Sequence, residues 1–196
     1  ANQVGIRDAA VYQPTDAERA RATSFPIPTE PPFPDERFQM VHRIDWLIPN
    51  GGPHGLGCLR GSVDVDPSFW FFQAHFYQDP VWPGSLGLES FLQVLKAYGV
   101  GRWSMVEGQR TENGENGAIA PSLSHSPSAI SRFPAVLGAP HEWVYRGQVL
   151  PNDRHVTVDV VVTAVDDTTR TVTADGFLTV DGRVIYQMKS FQLSFA

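Results

Sequence analysis

Ser85-Leu86-Gly87-Leu88-Glu89-Ser90-Phe91-Leu92-Gln93-Val94-Leu95-Lys96-Ala97-Tyr98 is the stretch on which the fold turns. Leu88, Phe91, Leu92, Leu95 and Tyr98 recur every three or four positions, the spacing of one apolar helix face. Gly99 and Gly101 are expected to stop that helix. On both sides the pattern changes to alternation. Upstream, Phe38–Ile48 reads as a strand ended by the turn Pro49-Asn50-Gly51-Gly52-Pro53, and Gly57–Val65 alternates through Leu59, Gly61 and Val63. Downstream, Glu142–Val149, His155–Val165, Arg170–Val180 and Val184–Phe195 are rich in Val, Thr and Phe. Turns at Pro151-Asn152-Asp153, Asp166-Asp167 and Asp181-Gly182 separate them. Strands, one long apolar helix, then an antiparallel meander predict an α+β fold, a sheet wrapped around a helix.

Two stretches stand outside that pattern. Six of the 16 prolines (Pro14, Pro26, Pro28, Pro31, Pro32 and Pro34) precede Phe38, and proline lacks the N–H that a helix interior or central strand needs. Residues 1–37 are therefore expected to form a proline-rich arm or linker, with one helical turn near Asp16–Arg21. Val11, Tyr12, Phe25, Ile27 and Phe33 equip that arm to pack along a surface. Glu107–Pro140, rich in Gly, Asn, Ser and Pro, reads as a surface excursion with a short return strand. Residues 38–196 make up the domain proper.

Composition narrows the functional classes. Fifteen basic against 21 acidic residues give a net charge of −6, at odds with a surface built for nucleic acid. The single Cys58 excludes an internal disulfide framework and a Cys-rich zinc module, and it fits a reducing, cytoplasmic setting. No run approaches the roughly 20 apolar residues that span a bilayer, and the first residues do not read as a signal peptide. A soluble, acidic, globular protein is the expectation. The proline-rich arm and the initial Ala1 both hint at a domain excised from a larger chain, with cleavage of Met or a cloning choice explaining Ala1 equally well.

The chemistry concentrates between Ala74 and Glu89. A histidine, His75, precedes a turn stiffened by Pro80, Pro83 and Gly84, which feeds the helix near whose start Glu89 lies. Taken singly, His75 reads as a core histidine and Glu89 as a first-turn acid favoured by the helix dipole. Taken together, a free amide at Gly84, an imidazole and a carboxyl group supply an oxyanion donor, a base and an acid. Other candidates fail on spacing. Gly51-Gly52-Pro53-His54-Gly55-Leu56-Gly57 is followed by a strand, not the helix that a phosphate cradle needs. His141-Glu142 has Tyr145 where a zinc helix has its second histidine, and His42, His54, His125 and His155 show no ligand spacing. No metal site is expected.

His75-Phe76-Tyr77-Gln78-Asp79-Pro80-Val81-Trp82-Pro83-Gly84 resembles the H-F-x-x-D/R-P-V-M-P-G signature of the hotdog-fold β-hydroxyacyl-thioester dehydratases. In that family an acid follows at the fourteenth residue after the histidine, the position of Glu89 (89 − 75 = 14). Gly147-Gln148-Val149-Leu150-Pro151 resembles the family's G-Q-V-x-P strand, and Val180-Asp181-Gly182-Arg183-Val184-Ile185-Tyr186 its V-D-G-R-x-I-Y hairpin. The Tyr-Gln-Asp variant most resembles the FabA-like domains of polyunsaturated-fatty-acid and iterative polyketide synthases. The likeness covers about residues 38–196.

That resemblance implies a hotdog fold in which the sheet wraps the central helix. It also implies a homodimer, or a tandem pseudo-dimer, with an acyl tunnel between the halves. His75 would come from one half and Glu89 from the other. His75 would take a proton from C2 of an (R)-3-hydroxyacyl thioester, the Gly84 N–H would polarise the thioester carbonyl, and the Val81 carbonyl would fix the imidazole tautomer. Glu89 would handle the departing hydroxyl, with Gln93 orienting it. Phe76, Trp82 and Ser85 would line the tunnel. The product would be a trans-2-enoyl thioester, formed with no cofactor or metal, on the phosphopantetheine of an acyl carrier protein.

Three departures bear on activity. The acid is Glu89, as in pure dehydratases, where isomerising relatives carry Asp. Ser85 stands where those relatives carry Cys, and Trp82 replaces the usual Met with a rigid ring. Dehydration without isomerisation is expected; a dehydratase/isomerase and a catalytically silent hotdog partner are the alternatives. Carrier proteins are acidic, as this chain is, so docking would use a local basic patch from Arg146, Arg154 and Arg183, or a tethered carrier.

Overall fold

The computed structural model describes residues 4–31, 33–108, 132–134 and 136–196, with the backbone alone at 104–108. Among the described residues, seven strands form one antiparallel sheet: β1 (Thr23–Pro26), β2 (Arg43–Ile48), β3 (Cys58–Asp64), β4 (Glu142–Tyr145), β5 (His155–Asp166), β6 (Thr171–Val180) and β7 (Arg183–Ser194). Their spatial order is β1-β2-β3-β5-β6-β7-β4, with every neighbouring pair antiparallel. The α-helices among the described residues are α1 (Asp16–Arg19), α2 (Trp70–Ala74) and α3 (Gly84–Gly108), with a 3-10 turn at Glu36–Phe38.

Alternation along β5 and β6 builds one dry face. Val156, Val158, Val160 and Val162 on β5, and Val172, Ala174, Leu178 and Val180 on β6, are all buried because successive strand residues point to opposite sides. They share a core with Phe91, Val94, Leu95 and Ala97 of α3. Each large aliphatic or aromatic side chain among them contributes about 1.5–3 kcal/mol by leaving water. The sheet thus packs against one long helix, as the periodicity predicts. Asp181 and Gly182, with φ of 44° and 82°, form the tight turn from β6 to β7 that a two-residue hairpin demands.

The structure corrects the helix end. Neither Gly99 nor Gly101 stops α3, which continues to Gly108. A Cβ on Gly99 would overlap the Phe195 ring, so this glycine lets the end of the chain close on the helix rather than ending it. Trp103, one turn further, packs on the same Phe195 at 5.0 Å between ring centroids.

The described residues before Phe38 lie along the sheet. α1 is the expected helical turn, closed by a capping box between Thr15 and Glu18. β1 takes an edge of the sheet and ends at Pro26, a place where a missing N–H costs no ladder bond. Ile27 and Phe33 reach the core. Near the start, Gly5 donates its N–H to the Arg146 carbonyl and Ile6 to that of Val184. Of Glu107–Pro140, the first two residues belong to α3, and the excursion read at 109–131 lies outside the described residues.

Candidate active site

His75 is the residue that closes α2, its N–H bonded to the Phe71 carbonyl at 2.9 Å. α2 itself is an aromatic turn: Phe71 and Phe72 are buried, and the rings of Phe69, Phe71 and Trp82 pack at 4.7–6.4 Å with Phe72. That cluster anchors the peptide carrying the histidine. The imidazole Nδ1 lies 3.2 Å from the Val81 carbonyl. A carbonyl only accepts, so Nδ1 carries a proton, and in the neutral imidazole the lone pair is then on Nε2. Val81 is buried, and the next residue ties the loop to the sheet through Trp82 N–H to the Val149 carbonyl at 2.9 Å.

The intervening loop is conformationally costly. Phe76 and Gln78 both adopt left-handed backbone angles, with φ of 61° and 60°, each at a backbone cost of about 1–3 kcal/mol for a non-glycine residue. The Phe76 ring lies 4.0 Å from the imidazole centroid and is 59% exposed, while Tyr77 is 91% exposed. Trp82 is 1% exposed and sits in the aromatic core, whereas Ser85 is exposed.

Pro83 caps α3 by accepting the N–H groups of Leu86 and Gly87 at 3.0 and 3.1 Å. Gly84 is the first helical residue, so its N–H is one of the four with no acceptor inside the helix, and it meets none among the described residues. Trp143 and Tyr145 of β4 stand beside it, so that a Cβ on Gly84 would come within 3.3 Å of the Trp143 ring. Gly87 faces Tyr186 so closely that a Cβ there would overlap the ring.

Glu89 stands in the second turn of α3, not the first, where the field of the helix end has fallen off. Its Oε1 accepts from Gln93 Nε2 at 3.2 Å and from Lys96 Nζ at 3.1 Å. Gln93 is fully buried and saturated: its Oε1 takes the Met40 N–H at 2.8 Å and its Nε2 also donates to the Phe38 carbonyl at 2.9 Å. The residues expected around His75 therefore gather in two groups, His75 with Val81, and Glu89 with Gln93. No hydrogen bond within the chain joins the groups among the described residues. Sequence reasoning misses Lys96, although positions 89, 93 and 96 share one helix face; a lysine on such a face reads as solvated by default.

Elsewhere, Cys58 is buried and desolvation pushes its thiol up to about 12, which leaves it inert. Among the described residues no three of His, Cys, Asp and Glu gather as metal ligands, and no helix is long and apolar enough to cross a membrane. Arg154 and Arg183 flank the β6–β7 turn, where Asp181 accepts the Arg154 backbone N–H at 3.1 Å. The Arg146 N–H bonds the Ile185 carbonyl at 2.9 Å, so the three arginines lie about one end of β7.

Comparison with known proteins sets this arrangement in context. The FabA-like domain model matches residues 33–120 and 117–189. One of the polyunsaturated fatty acid synthase proteins of Thraustochytrium sp. is 35% identical over 160 residues, which cover 81% of this chain but 9% of that protein. The chain thus spans a small part of the relative it matches. Among solved structures, the dehydratase heterocomplex ApeI:P from Xenorhabdus doucetiae superposes with a TM-score of 0.50 at 11% identity, over 82% of this chain and 84% of that one. The likeness at that identity is one of fold: an antiparallel sheet around a long helix.

Proposed function

The chain belongs to the FabA-like family of hotdog domains, and on that premise we propose that it dehydrates (R)-3-hydroxyacyl thioesters to trans-2-enoyl thioesters in fatty-acid or polyketide assembly. The observation that carries this reading is the imidazole of His75, tethered at Nδ1 by the Val81 carbonyl and therefore basic at Nε2. Nε2 removes a proton from C2 of the substrate. The Gly84 N–H takes up the charge that develops on the thioester oxygen, where a fixed donor is worth more than water. The C3–O bond then breaks with the departing hydroxyl at Glu89. The proton lost from C2 and the hydroxyl lost from C3 leave as one water, so the step balances with no redox partner, resident metal or cofactor. The acyl chain would arrive on the phosphopantetheine arm of an acyl carrier protein.

Two features support a paired assembly, either a homodimer or a tandem hotdog. His75 and Glu89 share no bond within the chain, and one sheet edge invites a partner. β1 is blunted by Pro26, but β4 ends the other side with Trp143 39% and Tyr145 37% exposed, an uncovered aromatic edge of the kind proteins otherwise protect. The carrier would approach the arginines around β7.

His75→Ala and Glu89→Gln test the reading. Incubated with a 3-hydroxyacyl thioester of a pantetheine analogue, the unaltered protein should develop enoyl absorbance. Removal of the base should lower kcat by about 10²–10⁴. Turnover by His75→Ala at the unaltered rate would overturn it.

A further inference from the structure

Glu89 is gripped at one oxygen only. Gln93 and Lys96 both donate to Oε1, at 3.2 and 3.1 Å, while Oε2 makes no hydrogen bond among the described residues. The ammonium that does this is not an ordinary surface charge. The Lys96 side chain is 15% exposed, and its nitrogen lies 5.1 Å from the centroid of the Phe133 ring, so that an aromatic face also holds it. Gln93 cannot yield to it, being locked by Met40 and Phe38. Two donors on one oxygen fix the plane of the carboxylate, and the remaining oxygen is then the one available for chemistry.

We propose that Lys96 is a positioning residue for the dehydration: with Gln93 it fixes Oε1 of Glu89, so that Oε2 alone meets the departing hydroxyl. The ion pair engages Glu89 as a carboxylate, and Oε2 accepts the hydroxyl's hydrogen bond and aligns the C3–O bond for departure. The proton that completes the water is the one His75 has taken from C2. This inference rests on the dehydratase reading above, and it goes further by assigning the reacting oxygen and the residue that selects it.

The test is a double-mutant cycle in the full chain, with kcat and KM measured separately and thermal melts recorded for each variant. Lys96→Met should lower kcat about 10- to 100-fold, the scale of a misplaced catalytic group, with KM near the unaltered value. Lys96→Arg, which keeps a cation, should recover most of the rate. On a Glu89→Gln background, Lys96→Met should cost nothing further, since the group it positions is gone. A kcat for Lys96→Met equal to that of the unaltered protein, or the same fold-loss with and without Glu89, would overturn the assignment. Lys96→Gln carries the same cycle should Lys96→Met not fold. Absence of any His75-dependent turnover in the unaltered protein would instead overturn the dehydratase reading itself, and that control keeps the two failures apart.

Discussion

At the scale of single residues, the sharpest consequence concerns an atom no side chain supplies. Gly84 opens α3, and the expected oxyanion donor is its backbone N–H. Proline is tolerated at the first helical position, where the missing N–H was unbonded in any case. Gly84→Pro therefore deletes the donor and leaves the helix start intact. Its kcat should fall about 10²–10³-fold, the scale on which one such donor counts in other enzymes, with the melting temperature little changed. Gly84→Ala is the control: it keeps the N–H and adds only a Cβ 3.3 Å from Trp143. If Gly84→Ala loses as much activity as Gly84→Pro, crowding by β4 explains both and the amide has no role.

At the scale of elements, the segment before the domain is held by a small polar clamp. Glu18, three residues after the Thr15 cap, accepts from Tyr12 Oη at 2.7 Å and from the Gly52 N–H at 2.9 Å, joining α1 to the β2–β3 turn. The Tyr12 hydroxyl, with the Thr15 and Gly52 amides, lowers the Glu18 carboxyl to about 2. The same bond to Glu18, with burial, raises the Tyr12 phenol to about 12. A depressed carboxyl contributes stability that is fully present above its ordinary value of 4.5 and is lost as pH falls through about 2. A raised phenol contributes stability present below 10 and lost as pH climbs through about 12. The clamp is therefore closed across the neutral range. The Gly52 amide resonance should titrate with a midpoint near 2, and Glu18→Gln should abolish that titration. A midpoint near 4.5 would mean that the clamp does not form in solution.

Elements differ in how far their sequence announces them. β5, β6 and β7 alternate over ten or more residues against one partner face, so local pattern and tertiary role agree. α3 is legible where Pro83-Gly84 starts it and Leu88 to Tyr98 face the core. Its far half is not, because Gly99 is explained only by Phe195 closing on it from the end of the chain. β1 ends in Pro26 and hides among prolines whose local reading is an arm. In the site, the resemblance already implies the tether between His75 and Val81, and Gln93 beside Glu89. Lys96 stays illegible because its meaning comes from a shared acceptor oxygen, which spacing alone does not reveal.

At the scale of the whole molecule, the fold holds the two parts of the proposed site without joining them: the His75 imidazole on one loop and the Glu89 carboxyl group on the helix. β4 ends the sheet with Trp143 and Tyr145 exposed, and the proposed pairing would continue the sheet there. The matched relative is a synthase protein of which this chain covers 9%. A domain carried within a protein of that length would meet its carrier at high local concentration. Tethering would then replace electrostatic steering, and a net charge of −6 would be no obstacle to an acidic carrier.

The proposed sharing of the site between two copies is open to one direct measurement. Co-expressed His75→Ala and Glu89→Gln chains, each expected to be much slower than the unaltered protein when alone, would pair at random, so about half the dimers would be mixed. Each mixed dimer holds one site with both residues intact and one with neither. Dehydration should return to about a quarter of the unaltered rate, as two-fold symmetry requires. Activity no higher than that of either variant alone would contradict a site built from His75 of one copy and Glu89 of the other.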